Sequence, residues 1–468
     1  MKKTILYLII ITFVATLQVG CNYEQDVILI NYASGSYSGT DTDDTGDDQT
    51  WTSSLSIVWN GSSATVSGSV NGVTVTNNNG YVTVISAVNS VAYTVSGSGT
   101  GQLAIYSDYP FQLNLQGLTL SCSDGPAINN QSHEKCYVVI SNTNTLSDGT
   151  TYASSTEDRK AAFFSEGSLY FSGSGVLTIS GNYKHALASD DLICLCSGTT
   201  ATLNLVANVS DGMHTNEGIQ IAAGTVIVSA KDECIRTDYG AIEISGGTIT
   251  AFSQSEAIES KSTLTISGGQ VYAHAVDDAI NSADDLIISG GYVCAYSTGN
   301  DGLDANGNCY IKGGVVYAIG ANSPEVGIDA NSEQQKQLYV QGGTLVAIGG
   351  LENGASLSQA CYSASSWSKS SWYALTVGTE VFAFQTPSSG GSTLVVSGAS
   401  TPTLTSGVTA SGTAIFNGMG YYPATVSGGT SVELSAYSGG NSGGGPDGDN
   451  PGGGGPGGNN PGGGPGGW

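Results

Sequence analysis

Ile244-Ser245-Gly246-Gly247, Ile266-Ser267-Gly268-Gly269, Ile288-Ser289-Gly290-Gly291, Ile311-Lys312-Gly313-Gly314 and Val340-Gln341-Gly342-Gly343 repeat one phrase, and their first glycines advance by 22, 22, 23 and 29 residues. A second phrase, an acidic or small residue followed by Gly or Ala and then an apolar anchor, recurs at Met213, Ile235, Ile258, Ile280, Leu303 and Ile328, with steps of 22, 23, 22, 23 and 25. Two independent markers on one period indicate stacked supersecondary units. Before each Gly-Gly stands a short stretch such as Leu264-Thr265-Ile266, and after it an alternating one such as Thr248-Ile249-Thr250-Ala251-Phe252. Both are strand patterns, and a unit of this length that holds two or three strands leaves no room for a helix. The fold expected is all-β: a right-handed parallel β-helix, a solenoid with coils of about 22 residues stacked roughly 4.8 Å apart. Leucine-rich repeats share the period but need a Leu-dense strand and an Asn ladder, and a propeller needs units of roughly 40 residues. The glycines are expected to supply positive φ at the corners.

Outward from this core the pattern fades. Ala127-Ile128-Asn129-Asn130 and Ala186-Leu187-Ala188-Ser189 read as divergent copies, with an insertion around Leu146 to Lys160. Alternating segments from Ser54 to Leu120 read as first coils or an N-terminal β cap. Terminal coils must cover an open core and are expected to be atypical. The organisation expected is residues 1–20 as a lipoprotein signal peptide, 21–50 as a flexible acidic tether and 51–350 as the β-helix, which is also the carbohydrate-binding domain implied below. Residues 351–436 follow as a C-terminal β cap region and 437–468 as a Gly/Pro-rich tail.

Met1-Lys2-Lys3, the apolar run from Ile5 to Leu17 and Gln18-Val19-Gly20-Cys21 resemble a bacterial lipoprotein signal, which would place a lipid on Cys21 and hold the protein at a membrane or cell surface. Gln18 stands where such signals usually carry Leu, so a plain secretory signal is the alternative. With 12 Lys and Arg against 38 Asp and Glu, the net charge is −26. Nucleic acid is thereby excluded as a partner, because its phosphates are bound by clustered basic residues. Cations suit this surface better.

Stacking turns sequence period into columns. Two places before each anchor stand Asp211, Glu233, Glu256, Asp278 and Asp301. One place after it stand His214, Arg236, Glu259, Asn281, Asp304 and Asp329, and three places before it Ser210, Asp232, Ser255, Asp277, Asn300 and Glu325. Carboxylates one coil apart repel by roughly 3 to 4 kcal/mol per pair at an effective dielectric near 20. Ca²⁺, which takes six to eight oxygen ligands, would offset that repulsion. The candidate metal ligands are Asp211, Glu233, Glu256, Glu259, Asp277, Asp278, Asn300, Asp301, Asp304 and Asp329. Zinc is disfavoured, because no Cys or His cluster shows ligand spacing. The plainer alternative is that these side chains fan out into water.

Ser210-Asp211-Gly212-Met213-His214, Ser255-Glu256-Ala257-Ile258-Glu259-Ser260, Asp277-Asp278-Ala279-Ile280-Asn281 and Asp301-Gly302-Leu303-Asp304-Ala305-Asn306-Gly307 resemble the coil motifs of a bacterial family of calcium-dependent carbohydrate-binding β-helix proteins. The fold of that family is similar to that of pectate lyases. The resemblance runs from roughly residue 80 to 350. It implies a secreted or lipid-anchored protein that binds acidic or cellulosic polysaccharide, with calcium at coil corners. Two coils depart from the motif: Asp232-Glu233-Cys234-Ile235-Arg236 carries Cys and Arg, and Val326-Gly327-Ile328-Asp329 lacks the first acid.

The function expected is therefore non-catalytic polysaccharide binding by a calcium-stabilised monomer. Tyr272, Tyr292, Tyr296 and Tyr317 are aromatics on which sugar rings could lie, or else core residues; no residue is assigned to sugar binding from sequence. The alternative is a calcium-dependent lyase acting on polyuronate, with Arg236 as its base and Lys231 and Lys261 nearby. Against it, Arg236 beside Glu259 and His214 also suits a salt bridge. A purely structural or adhesion protein is the third possibility. Eight cysteines remain besides Cys21, and Cys309, aligned with Leu264 and Leu286, is expected as a buried thiol.

Overall fold

The computed structural model describes Asp44 and residues 49–439; the signal segment, Cys21, the rest of the tether and the tail from 440 onward lie outside the described residues. Among the described residues helix is confined to two 3-10 turns, Ser332–Gln334 and Phe416–Gly418, and the rest of the regular structure is strand. The chain is a parallel β-helix with three faces. One coil shows the plan: Met213–Thr215 on the anchor face, Gly218–Ile221 on the middle face and Thr225–Ala230 on the long face. The next coil repeats it with Ile235–Thr237, Ile242–Ile244 and Thr248–Ser253.

Register follows the apolar anchors. On the anchor face Met213, Ile235, Ile258, Ile280 and Leu303 align in parallel, and an isolated bridge adds Ile328. On the middle face Ile219, Ile242, Leu264, Leu286, Cys309 and Leu338 form the matching column. On the long face Val226, Ile249, Val271, Val293, Val316 and Leu345 do the same. All of these are buried in one continuous core. Each large aliphatic side chain so removed from water contributes about 1.5–3 kcal/mol. Cys309 takes a leucine's place as a buried thiol, and burial pushes its pKa well up.

Each corner has its own chemistry. Between anchor and middle faces, buried hydroxyls close the turn: Thr237 Oγ1 donates to the Gly240 carbonyl at 2.7 Å and Ser260 Oγ to the Thr263 carbonyl at 3.1 Å. Between middle and long faces lie the Gly-Gly pairs. The second glycines, Gly247, Gly269, Gly291, Gly314 and Gly343, have φ between +75° and +87°. The first glycines are needed for proximity, since a Cβ on Gly268 would lie 2.3 Å from the Ser245 carbonyl oxygen of the preceding coil. The third corner carries the acidic phrase.

The ends differ from the coils. Ser53–Gly61 already pairs in parallel with Val91–Thr100, while Ser63–Ser67 folds back on it antiparallel. The hairpin Val73–Asn78 with Tyr81–Ser86 closes the anchor-face sheet, which has 11 strands. Of the acidic tether, Asp44 does not lie free in solvent but pairs with Lys135 at 2.7 Å. At the C-terminal end Leu394–Ser397 runs antiparallel to Thr344–Ile348 and stops the stacking. Strands Trp372–Val377, Glu380–Gln385, Thr403–Ile415 and Gly420–Val432 close into a small barrel. Its Leu375, Phe382, Phe384 and Phe416 pack in one cluster with Tyr317, Ile319, Val346 and Ile348 from the outer side of the long face.

Candidate functional site

The acidic phrase lies where the long face turns into the anchor face, so one carboxylate column runs along a single edge. Its members are held inward: Asp211, Glu233, Asp278 and Asp301 are all at most 6% exposed. A fan of solvated side chains is thereby ruled out for these four. Column neighbours also align through the anchor strands, where His214, Arg236, Glu259, Asn281 and Asp304 are successive register partners.

The charge balance changes along the edge. At its N-terminal part the chain supplies its own cations. Asp211 Oδ2 lies 2.6 Å from His214 Nδ1 and 3.2 Å from His185 Nδ1, and the two imidazoles stack with centroids 4.2 Å apart. Sequence spacing pointed to no histidine cluster, yet this one forms. His185 stands two places before Leu187, which pairs with Met213, so it belongs to the same column as Asp211. A longer coil of 26 residues concealed it. Asp211 is held well below the usual carboxylate range by its two histidine hydrogen bonds, against the penalty of burial. Burial pushes His185 down to about 4, whereas hydrogen bonds to Asp211 and Asp238 outweigh burial and raise His214.

One coil on, Arg236 Nη1 lies 3.2 Å from Glu233 and 3.1 Å from Glu259, and its Nε is 3.3 Å from Asp238. Lys261 pairs with Glu259 from outside. Burial and the Asp211 carboxylate nonetheless push Glu233 up to about 9, against the pull of Arg236. Arg236 is thus tied to three carboxylates at once. Glu256 accepts a hydrogen bond from its neighbour Ser255.

Farther along the edge the composition turns to oxygen alone. Asp301, Asp304 and Asp329 bring ligand atoms within 4.8 Å of one another. Asn281 Nδ2 reaches Asp304 at 2.5 Å, and the backbone N–H of Asp301 donates to Asp278 at 2.9 Å. Asp277 and Asn300 sit on the outer rim, joined at 2.8 Å. Burial, a hydrogen bond to Glu352 and the charges of Asp301 and Asp304 push Asp329 up to about 11. Burial and the Asp304 and Asp301 charges likewise raise Asp278 well above the carboxylate range. Glu352 extends the column one coil beyond the sequence expectation. Its neighbour Leu351 bridges Ile328, a link hidden by the break in pattern after Gly350.

Of the four tyrosines, Tyr272 and Tyr317 are neither solvent-exposed platform nor solenoid core, whereas Tyr292 and Tyr296 stay half-exposed. Val271 and Ala273 point inward, so Tyr272 points out of the solenoid, and it is covered by the C-terminal barrel together with Tyr317. Tyr317 is fully buried and donates to the Gln385 carbonyl at 3.0 Å. Tyr296 stacks on His274 at 4.6 Å, and Tyr292 stands 5.8 Å from Tyr422.

A family of proteins described as carbohydrate-binding domain-containing matches the chain over residues 78–277 and 253–386. Among solved structures, a polysaccharide lyase-like protein from C. thermocellum, in a gadolinium derivative, is similar at 21% identity with a TM-score of 0.46. That match covers 51% of this chain and 100% of the other. No curated protein matches the chain.

Proposed function

Because the chain belongs to the family of carbohydrate-binding domain-containing proteins, we propose that it binds polysaccharide without cleaving it, on a β-helix whose acidic edge is held together by calcium. The observation that carries the non-catalytic part is the position of Arg236. A lyase base must accept a proton from the sugar, and this guanidinium is engaged by Glu233, Glu259 and Asp238 and raised further in pKa by the two glutamates. Such an arginine stays charged and serves as a fixed counter-ion.

The residues present fit a hard divalent cation. Asp301 and Asp304 on one coil and Asp329 on the next offer oxygen ligands, and the charges that bear most on Asp278 and Asp329 are other carboxylates. Bound there, Ca²⁺ would neutralise the edge and tie these coils together. The fit is poor at Asp211, whose carboxylate is engaged by two imidazoles, and at Glu233 and Glu259, where Arg236 already occupies the cation's place. Calcium is assigned to the Asp278 to Asp329 segment alone. Secretion and anchoring through a lipid on Cys21 complete the proposal, on the strength of the basic start and apolar run before that residue.

Co-sedimentation of the full chain with insoluble cellulose and with a polygalacturonate gel, in calcium and in chelator, tests this. Retention on either polysaccharide in calcium is expected. A chain that passes through both unretained contradicts the proposal.

A further inference from the structure

One cavity of about 480 Å³ lies where the barrel meets the solenoid, and a second of the same volume lies beside it, against the segment 398–401 that leads into the barrel; the two adjoin at Ala399. Gln359 links them, since its Nε2 donates at 2.8 Å to the carbonyl of Gly343, a residue of the first cavity. Together they form one open trough along the outer edge of the last coils.

The wall on the solenoid side is made by the Gly-Gly corners at Gly291, Gly314 and Gly343. Positive φ and the backbone of the preceding coil both demand glycine there. The solenoid's own geometry therefore leaves a strip of bare backbone three coils long. Facing each other across its end are Tyr292 and Tyr422, half-exposed, with ring centroids 5.8 Å apart at 56°. The second cavity is lined instead by amides and hydroxyls, among them Gln341, Gln359 and Thr401. Aromatic faces for the C–H surfaces of a pyranose, with amides and hydroxyls for its OH groups, match sugar chemistry. Charge then selects among sugars. Glu380 is the one acidic residue among those lining the two cavities, and no Lys or Arg lines them. In a chain of net charge −26, a polyuronate would meet only repulsion in this trough.

We propose that the trough between the Gly-Gly corners and the C-terminal barrel, from Tyr292 and Tyr422 to Gln341, is the polysaccharide-binding site and accepts a neutral glycan chain. This rests on the carbohydrate-binding reading and narrows it to one place and one substrate class. The site is formed only where the barrel covers the solenoid, so the repeat alone does not make it.

Calorimetric titration of the full chain with cellohexaose and with hexagalacturonate tests the assignment. Tyr422→Ala and the exposed Gln341→Ala disturb opposite ends of the trough, with circular dichroism to confirm an unchanged fold. The wild type is expected to bind cellohexaose, Tyr422→Ala at least tenfold more weakly and Gln341→Ala several-fold more weakly. Glu380→Gln should retain cellohexaose and improve hexagalacturonate binding. Cellohexaose binding that is unchanged in both Tyr422→Ala and Gln341→Ala overturns the site, and binding of hexagalacturonate alone overturns the substrate class. If neither probe binds the folded wild type, the carbohydrate-binding reading fails along with the trough.

Discussion

Arg236 and Asp304 occupy the same column of the anchor face three coils apart, joined through Glu259 and Asn281 as successive register partners. At the first position the edge carries a covalently attached cation; at the second it carries another carboxylate. The same backbone geometry thus presents the acidic edge with two solutions to one electrostatic problem. Where Arg236 stands, its Nη1 lies 3.1 and 3.2 Å from Glu259 and Glu233 and serves both as counter-ion.

Asp304→Asn combined with Asp329→Asn is expected to remove the response to calcium. In the wild type, calcium at about a hundred times its dissociation constant should stabilise the fold by roughly 2.7 kcal/mol. The double variant should melt at the same temperature in calcium and in chelator, and above the wild type in chelator, because two repelling carboxylates are gone. Thermal melts in the two buffers check this.

Stability in chelator should fall as pH rises. Asp278 and Asp329 have raised pKa values in the fold, so the folded chain holds more protons than the unfolded one above the ordinary value of 3.8, up to about 11 for Asp329. Where the folded state binds the extra proton, stability declines with pH. Denaturant midpoints between pH 5 and 9 should therefore drift down in chelator and stay level in calcium, which replaces the protons.

Arg236→Met leaves Glu233 and Glu259 buried without their shared cation. Breaking such a pair from one side costs about 3 kcal/mol. Denaturant unfolding should register that loss, while retention on polysaccharide by the folded fraction should match the wild type.

Tyr317→Ala should loosen the barrel from the solenoid. The ring is fully buried against Phe382 and Phe384, and a large aromatic deletion of this kind costs about 3–5 kcal/mol. Tyr317→Phe, which loses only the hydrogen bond to Gln385, should cost about 1 kcal/mol. Limited proteolysis should cut Tyr317→Ala first in the barrel, between 372 and 432.

What the sequence made legible is what repeats. The step from Ile235 to Ile258 to Ile280 is also the register of the anchor strands, so the columns follow from the spacing alone. Cys309 was placed by the same alignment. Features outside the period escaped. His185 sits one longer coil before Asp211, and Glu352 stands beside Leu351, past the break in pattern after Gly350. The cover over Tyr272 and Tyr317 comes from a barrel that shares no period with the solenoid, so an outward tyrosine on a strand could not be told from an exposed one. Which carboxylates already have a cation is likewise a matter of side-chain reach: Arg236 extends along the column to two coils, and its sequence neighbours alone do not reveal that.

The most direct test of the account follows one sample in two ways: the fraction of chain bound to polygalacturonate and cellulose in calcium, and the unsaturated ends released over the same hours. Stable binding to at least one polysaccharide with no new unsaturated ends is the predicted result. Unsaturated ends that accumulate with the wild type and vanish with Arg236→Ala would contradict it, and would make Arg236 the base of a lyase.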